Sequence, residues 1–175
     1  PIKEYCVESR GKVTIVEEGQ NRGVYEPAYY LKSNDKEYLV ESQEIYIAEM
    51  TDVTVHGGTG IIITENYALT DIVANDVDNR VKYEAGAIRR GRKKTFYIEM
   101  DKNVESIERA ISLCGLASSN YYHLTFEILS RYEYVKKILG ENDVWVLLGE
   151  DARKYPQYEE LINCVLKGVH IKYIP

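Results

Sequence analysis

Phenylalanine, tryptophan and methionine are nearly missing from this chain: two, one and two among 175 residues. Sixteen tyrosines supply the aromatic surface instead. Tyrosine joins an apolar ring to a polar tip, so it suits half-buried strands and sugar stacking alike. Cysteine is also scarce. An odd count of three, Cys6, Cys114 and Cys164, fits no complete intrachain disulfide framework. Cys114 falls in a strand-like run and Cys164 in a helix-like one, so the thiols read as reduced and buried in a cytoplasmic protein. No window approaches the roughly 18 uninterrupted apolar residues of a membrane-spanning helix, and no signal peptide is recognisable. The chain opens on Pro1 rather than methionine, which gives the expectation of a trimmed or cleaved piece.

Several catalytic signatures are missing too. There is no Gly-x-Ser-x-Gly nucleophile elbow, no Gly-x-Gly-x-x-Gly turn and no phosphate loop. His123 has no second His or Cys at ligand spacing, which speaks against a zinc site, and no metal ligand is assigned. Net charge is −6, the wrong sign for a general nucleic-acid surface or for broad adhesion to an anionic membrane. A local basic cluster, Arg89-Arg90-Gly91-Arg92-Lys93-Lys94, stands out against that balance. It reads either as a solvated loop or as a patch for phosphate or anionic lipid head groups, with peripheral membrane contact.

What is present is a globular composition, 45% apolar and 29% charged, long enough for one good core or two small lobes. Residues 1–65 read as β. Lys12–Glu17 alternates, Glu44–Glu49 and Val53–Val55 are strand-like, and Gly60–Thr64 is a short apolar run. His56-Gly57-Gly58-Thr59-Gly60 joins the last two as a hairpin turn, since glycine enters positive φ at little cost. An oxyanion-hole reading of His-Gly-Gly is rejected because no nucleophile elbow follows it. Residues 66–95 are polar and give no clear element, and Thr95–Glu99 resumes as a strand.

From Glu105 the period changes. Ile111–Leu116 reads as a strand and Asn120–Leu139 as a helix. Asp143–Leu148 is a buried parallel strand, Pro156–Lys167 a helix with proline near its start and Gly168 past its end, and His170–Ile174 a third strand. This is β-α-β-α-β, half of a doubly wound sheet. The expected organisation is a β-rich region over 1–100 and an incomplete Rossmann-like lobe over 101–175, α/β overall. An unfinished sheet edge would favour a homo-oligomer.

The strand-to-helix junction from Leu113 to Arg131 gathers the most chemistry. On a regular helix Tyr121, Leu124, Ile128, Tyr132, Val135 and Leu139 form a core stripe, widened by Phe126 and Leu129. Asn120, His123, Glu127, Ser130 and Arg131 share a second face. Asn120 suits an N-cap, and the positive end of the helix dipole suits an anionic or oxygen-rich ligand. The plain alternative is a capped helix with a His123–Glu127 surface pair worth a few tenths of a kcal/mol.

Asn120-Tyr121-Tyr122-His123, followed by Glu127-Ile128-Leu129-Ser130-Arg131, resembles the N-Y-x-H and E-x-L-P-R-like signature of glycosyltransferase family 61, the capsular polysaccharide biosynthesis type. Tyr25–Tyr30, Val53–Gly58 and Ile61–Thr64 resemble its N-terminal β-rich region. The resemblance spans nearly all of the chain but only the N-terminal half of a family member. Ser130 stands where the family has proline, so the helix should bend less there. The resemblance implies a partial GT-B fold that lacks the donor-binding lobe. The parent would move a sugar from a nucleotide-sugar donor to a hydroxyl of a glycan or lipid-linked glycan acceptor, with no cofactor, and the piece alone would be inactive. His123 would be the general base or a partner of the donor phosphate, because imidazole changes charge near neutral pH. Glu127 would orient it or act as base itself, Asn120 would hold a sugar hydroxyl or cap the helix, and Arg131 would neutralise the leaving diphosphate or stay on the surface. A non-catalytic glycan-binding or assembly module, and an unrelated small α/β enzyme using the Ser118–His123 turn, are the rival readings.

Overall fold

A computed structural model describes residues 2–9, 11–25, 38–42, 44–69, 88–90, 96–99, 104–139 and 144–175. The chain divides into two compact units, Lys3–Met50 and Thr51–Pro175, the latter joined by the first two residues. The division falls after residue 50.

The smaller unit holds most of helix α1 (Ile2–Glu8), a segment the sequence reading had as β, and strands β1 (Lys12–Glu17), β2 (Gln20–Tyr25), β3 (Tyr38–Ser42) and β4 (Ile45–Glu49). β1 pairs antiparallel with β4 and β2 with β3. A register shift between Ile15 and Glu17 breaks the expected alternation of β1 and leaves Ile15 exposed. Cys6 is fully buried, its thiol 3.5 Å from the carbonyl oxygen of Lys12 and 3.4 Å from that of Glu49. Burial raises that thiol above its ordinary pKa. Lys12 Nζ also donates to Glu49 Oε1 at 2.8 Å, and Lys3 pairs with Glu44.

The larger unit begins with three short antiparallel strands, β5 (Thr54–Val55), β6 (Ile62–Ile63) and β7 (Ala68–Leu69). The glycine turn therefore closes a hairpin, as its sequence predicts. β8 (Ile88–Arg90) pairs antiparallel with β9 (Phe96–Ile98). Arg89 and Arg90 thus stand in a strand, while residues 91–94 of the basic cluster lie outside the described residues.

Beyond them, β10 (Ala110–Ser112), β11 (Trp145–Gly149) and β12 (His170–Ile174) form a parallel sheet in that order. The fold class is α/β. A π-helix (His123–Leu129) and helix α2 (Arg131–Leu139) join β10 to β11. A 3₁₀ turn (Glu150–Arg153) and helix α3 (Pro156–Val165) join β11 to β12. Pro156 opens α3, and Gly168 beyond its end adopts φ +78°.

β11 is buried along Val146–Gly149, as befits the middle strand of a parallel sheet. Val146 and Leu148, two apart and so on one face, join Leu113, Leu124, Ile128, Leu129, Tyr132, Ala152, Ile162 and Leu166 in one core. Cys114 is buried just past β10, but Cys164 is exposed on α3. That corrects the expectation of three buried thiols: Cys164 sits two residues from Ile162, and neighbours at that spacing do not share a helix face. No described helix is long and apolar enough to cross a membrane.

Candidate functional site

The helix after β10 starts from a strained turn. Ala117 adopts φ +60°, which costs a side-chain-bearing residue about 1–2 kcal/mol. Its carbonyl accepts from the Asn120 N–H at 2.8 Å. Asn120 Oδ1 accepts from the Tyr122 N–H at 2.9 Å, so the side chain does the work of an N-cap.

The helix is not the regular one expected over Asn120–Leu139. After Tyr121 and Tyr122 it widens into the π-segment His123–Leu129, and Ser130 separates that segment from α2. Leu124 and Leu129 are five residues apart and both buried, as is Ile128. Five residues is the reach of a π-helical hydrogen bond. The wider turn lets two adjacent residues, Ile128 and Leu129, enter the core. It also moves two members of the expected stripe outward: Phe126 is 64% exposed and Tyr121 56%. Thr125 and Ser130 hydroxyls donate back to the carbonyls of Tyr121 and Phe126 at 2.7 and 2.6 Å, a pattern that loosens and bends helices.

His123 and Glu127 meet. His123 Nδ1 lies 2.7 Å from Glu127 Oε2. An ionised carboxylate only accepts, so Nδ1 carries the proton in this pair, and a neutral ring then presents Nε2 as a lone pair. The side chains are 36% and 47% exposed. A pair that wet contributes about 0–1 kcal/mol to stability, so holding the fold together is a poor reason for it. Tyr122 stacks edge-on to the His123 ring at 5.7 Å and lies 5.2 Å from Phe126. Arg131 is exposed on the far side of Ser130 and forms no ion pair with Glu127 among the described residues. The structure thus joins His123 to Glu127 and places Asn120 at the helix start.

Sequence reasoning missed the carboxyl edge of the parallel sheet. The His56–Gly60 turn lies across it. The Gly57 N–H donates to the Pro175 carbonyl at 2.9 Å just past β12. A methyl group on Gly57 would collide with the Ile174 carbonyl, whose carbon would be 2.6 Å away. One on Gly149, at the end of β11, would meet the Gly57 oxygen at 2.7 Å. One on Gly60 would strike the Cys114 carbonyl past β10, and Gly60 already sits at φ +69°. Within the turn His56 Nδ1 is 3.0 Å from Thr59 Oγ1. Ser118 is buried beside Gly149. The cluster Gly57, Gly58, Gly60 was the available signal: close backbone approach is what glycine allows beyond a simple turn.

The Cys114 thiol is pushed up to about 11 by burial, with a Ser112 hydrogen bond working against that. It is therefore protonated and unreactive at neutral pH. Among the described residues no three His, Cys, Asp or Glu side chains converge on a metal site. Asp76-Val77-Asp78 is a close acidic pair of the kind that can hold a divalent cation and lies outside the described residues. No family model, curated protein or solved structure matches this chain.

Proposed function

We propose that this chain is the acceptor-handling, N-terminal part of a GT-B-type glycosyltransferase that moves a sugar from a nucleotide sugar to a glycan hydroxyl in capsule or exopolysaccharide synthesis. The observation that carries the reading is the His123–Glu127 pair at 2.7 Å, set beside the exposed rings of Tyr122 and Phe126. It stands on the helix that follows the first parallel strand, where α/β folds bind ligands. An exposed imidazole aimed by a carboxylate is the arrangement a general base needs. His123 Nε2 takes the proton of the acceptor hydroxyl. The acceptor oxygen bonds to the anomeric carbon, and the nucleoside diphosphate leaves with the electron pair of the broken C–O bond. Glu127 holds the ring and balances the imidazolium charge. Asn120 spends its side-chain oxygen on the cap, so only its amide N–H₂ faces a sugar. Arg131, four residues past Glu127, would meet the leaving diphosphate.

The exposed aromatic face also favours a second reading, a glycan-binding module without catalysis. His123→Ala and Glu127→Gln in the natural chain separate the two. Transfer from a nucleotide sugar should fall at least tenfold in His123→Ala, a threshold set well below the roughly 10²–10⁴ that a general base usually supplies. Unchanged turnover removes His123 from the site, and no transfer by the wild type with any donor leaves the binding module.

A further inference from the structure

The start of the helix after β10 fits two helical registers. At about 100° per residue of a regular helix, Tyr121, Leu124, Ile128, Tyr132, Val135 and Leu139 fall within about 80° of one another. Leu129 would then stand about 140° from Leu124, off the edge of that stripe. The structure takes the other register. Its π-segment buries Leu129 with Leu124 and Ile128 and leaves Tyr121 exposed. Each register thus has its own apolar residue to bury, Leu129 in the wide turn and Tyr121 in the regular one. Tyr121 already stands at the lip of the core, its ring 5.9 Å from Tyr158, which packs half-buried against it. The backbone does not bar an exchange. The Thr125 and Ser130 hydroxyls donate to the carbonyls of Tyr121 and Phe126, four residues back. Those carbonyls are the partners of N–H groups in a regular helix, so they are satisfied in either register. The strained Ala117 turn, at φ +60°, is the joint just before the helix.

We propose that this helix start is a two-register switch, which exchanges the π-turn for a regular α-turn and replaces Leu129 by Tyr121 in the core. A π-turn holds more chain per turn than an α-turn. Closing it re-phases the residues before it by one residue step, about 100°. His123 lies on the part that turns, whereas α2, beyond Ser130, is regular already. The exchange therefore changes the direction in which the imidazole faces relative to the sheet. Its use as a gate for a general base rests on the transferase reading above; the exchange itself does not. Register shifts of helices run in microseconds to milliseconds, and a competing state a few kcal/mol away is populated on the order of 1%. The few polar groups that hold the π-turn open, and the joint at Ala117, are what such a bistable element needs.

The test is methyl relaxation dispersion on the leucine and isoleucine side chains of the protein. Wild type should show one exchange process at Leu124, Ile128 and Leu129 and none at Ile47, on β4 of the smaller unit. Tyr121→Ser removes the ring that only the regular turn buries. It should leave the melting temperature unchanged and cut the population of the minor state about tenfold, the worth of burying part of one ring. Leu129→Ala weakens the π-turn instead and should raise that population about tenfold. Flat profiles in the wild type overturn the proposal, and so does an exchange that Tyr121→Ser leaves as it was. Because Tyr121 is exposed, its variant decides the matter even if Leu129→Ala does not fold. The predicted exchange in a natural chain that transfers no sugar would sink the transferase reading and leave the switch standing. Transfer lost in His123→Ala, with flat profiles in the wild type, would sink the switch alone.

Discussion

Gly57→Ala should destabilise the larger unit far more than Gly58→Ala one residue on. The methyl group on Gly57 has nowhere to go: the Ile174 carbonyl carbon and Cγ1 would lie 2.6 and 2.7 Å away. Backbone cannot rotate aside as a side-chain end can, so the turn must lift from the carboxyl edge. Overpacking of this kind costs about 1–3 kcal/mol. Lifting also breaks the bond from the Gly57 N–H to Pro175 O, a further ~1 kcal/mol net. The total is about 2–4 kcal/mol, a fall in Tm on the order of 10 °C for a chain of this size. On Gly58 the nearest atom is His56 Cε1 at 3.8 Å, ordinary contact, so the change there should stay within about 0.5 kcal/mol. Thermal and urea unfolding followed by circular dichroism measure both. Equal stability of the two variants would refute the placement of the turn on the sheet edge.

Three further expectations follow from the same structure. Leu124→Ala should cost about 2–5 kcal/mol, because Leu124 is fully buried, while Phe126→Ala should cost under about 0.5 kcal/mol; urea midpoints that rank the other way would mean the helix is regular. Glu127→Gln should leave Tm within about 2 °C of wild type, given the small worth of an exposed pair, and a larger fall in a thermal melt would make the pair structural. The buried Cys114 thiol keeps its proton when folded, up to about pH 11. Its contribution is therefore complete below the unfolded value near pH 9 and is lost as pH rises through about 11, up to about 3 kcal/mol. Urea unfolding across that range should show wild type losing stability more steeply than Cys114→Ala, and parallel losses would contradict the burial.

The parallel half of the fold was legible because its signals are local. The apolar run at Val144–Leu148, Pro156 opening α3 and Gly168 closing it each fix an element without help from elsewhere. The π-segment was not legible. Tyr121, Leu124, Ile128 and Tyr132 fit a regular helix well, and nothing in their spacing announces the wider turn on which Leu129 is buried beside Ile128. Phe126 is exposed on that turn. His123 and Glu127 were found by spacing, since four residues apart still meet on the wider helix. The role of Gly57 was missed because its partners, Ile174 and Pro175, lie at the other end of the sequence.

The most direct test of the central claim uses the three histidines, His56, His123 and His170, whose ring signals are few enough to assign by nuclear magnetic resonance. The protein is titrated in turn with cellotetraose, chitotetraose and maltotetraose. The account predicts that the His123 ring signals move while those of His170, on β12, stay fixed, and that Glu127→Gln alters the His123 response. Signals of all three rings that stay still, or that drift together, would contradict a glycan site at His123.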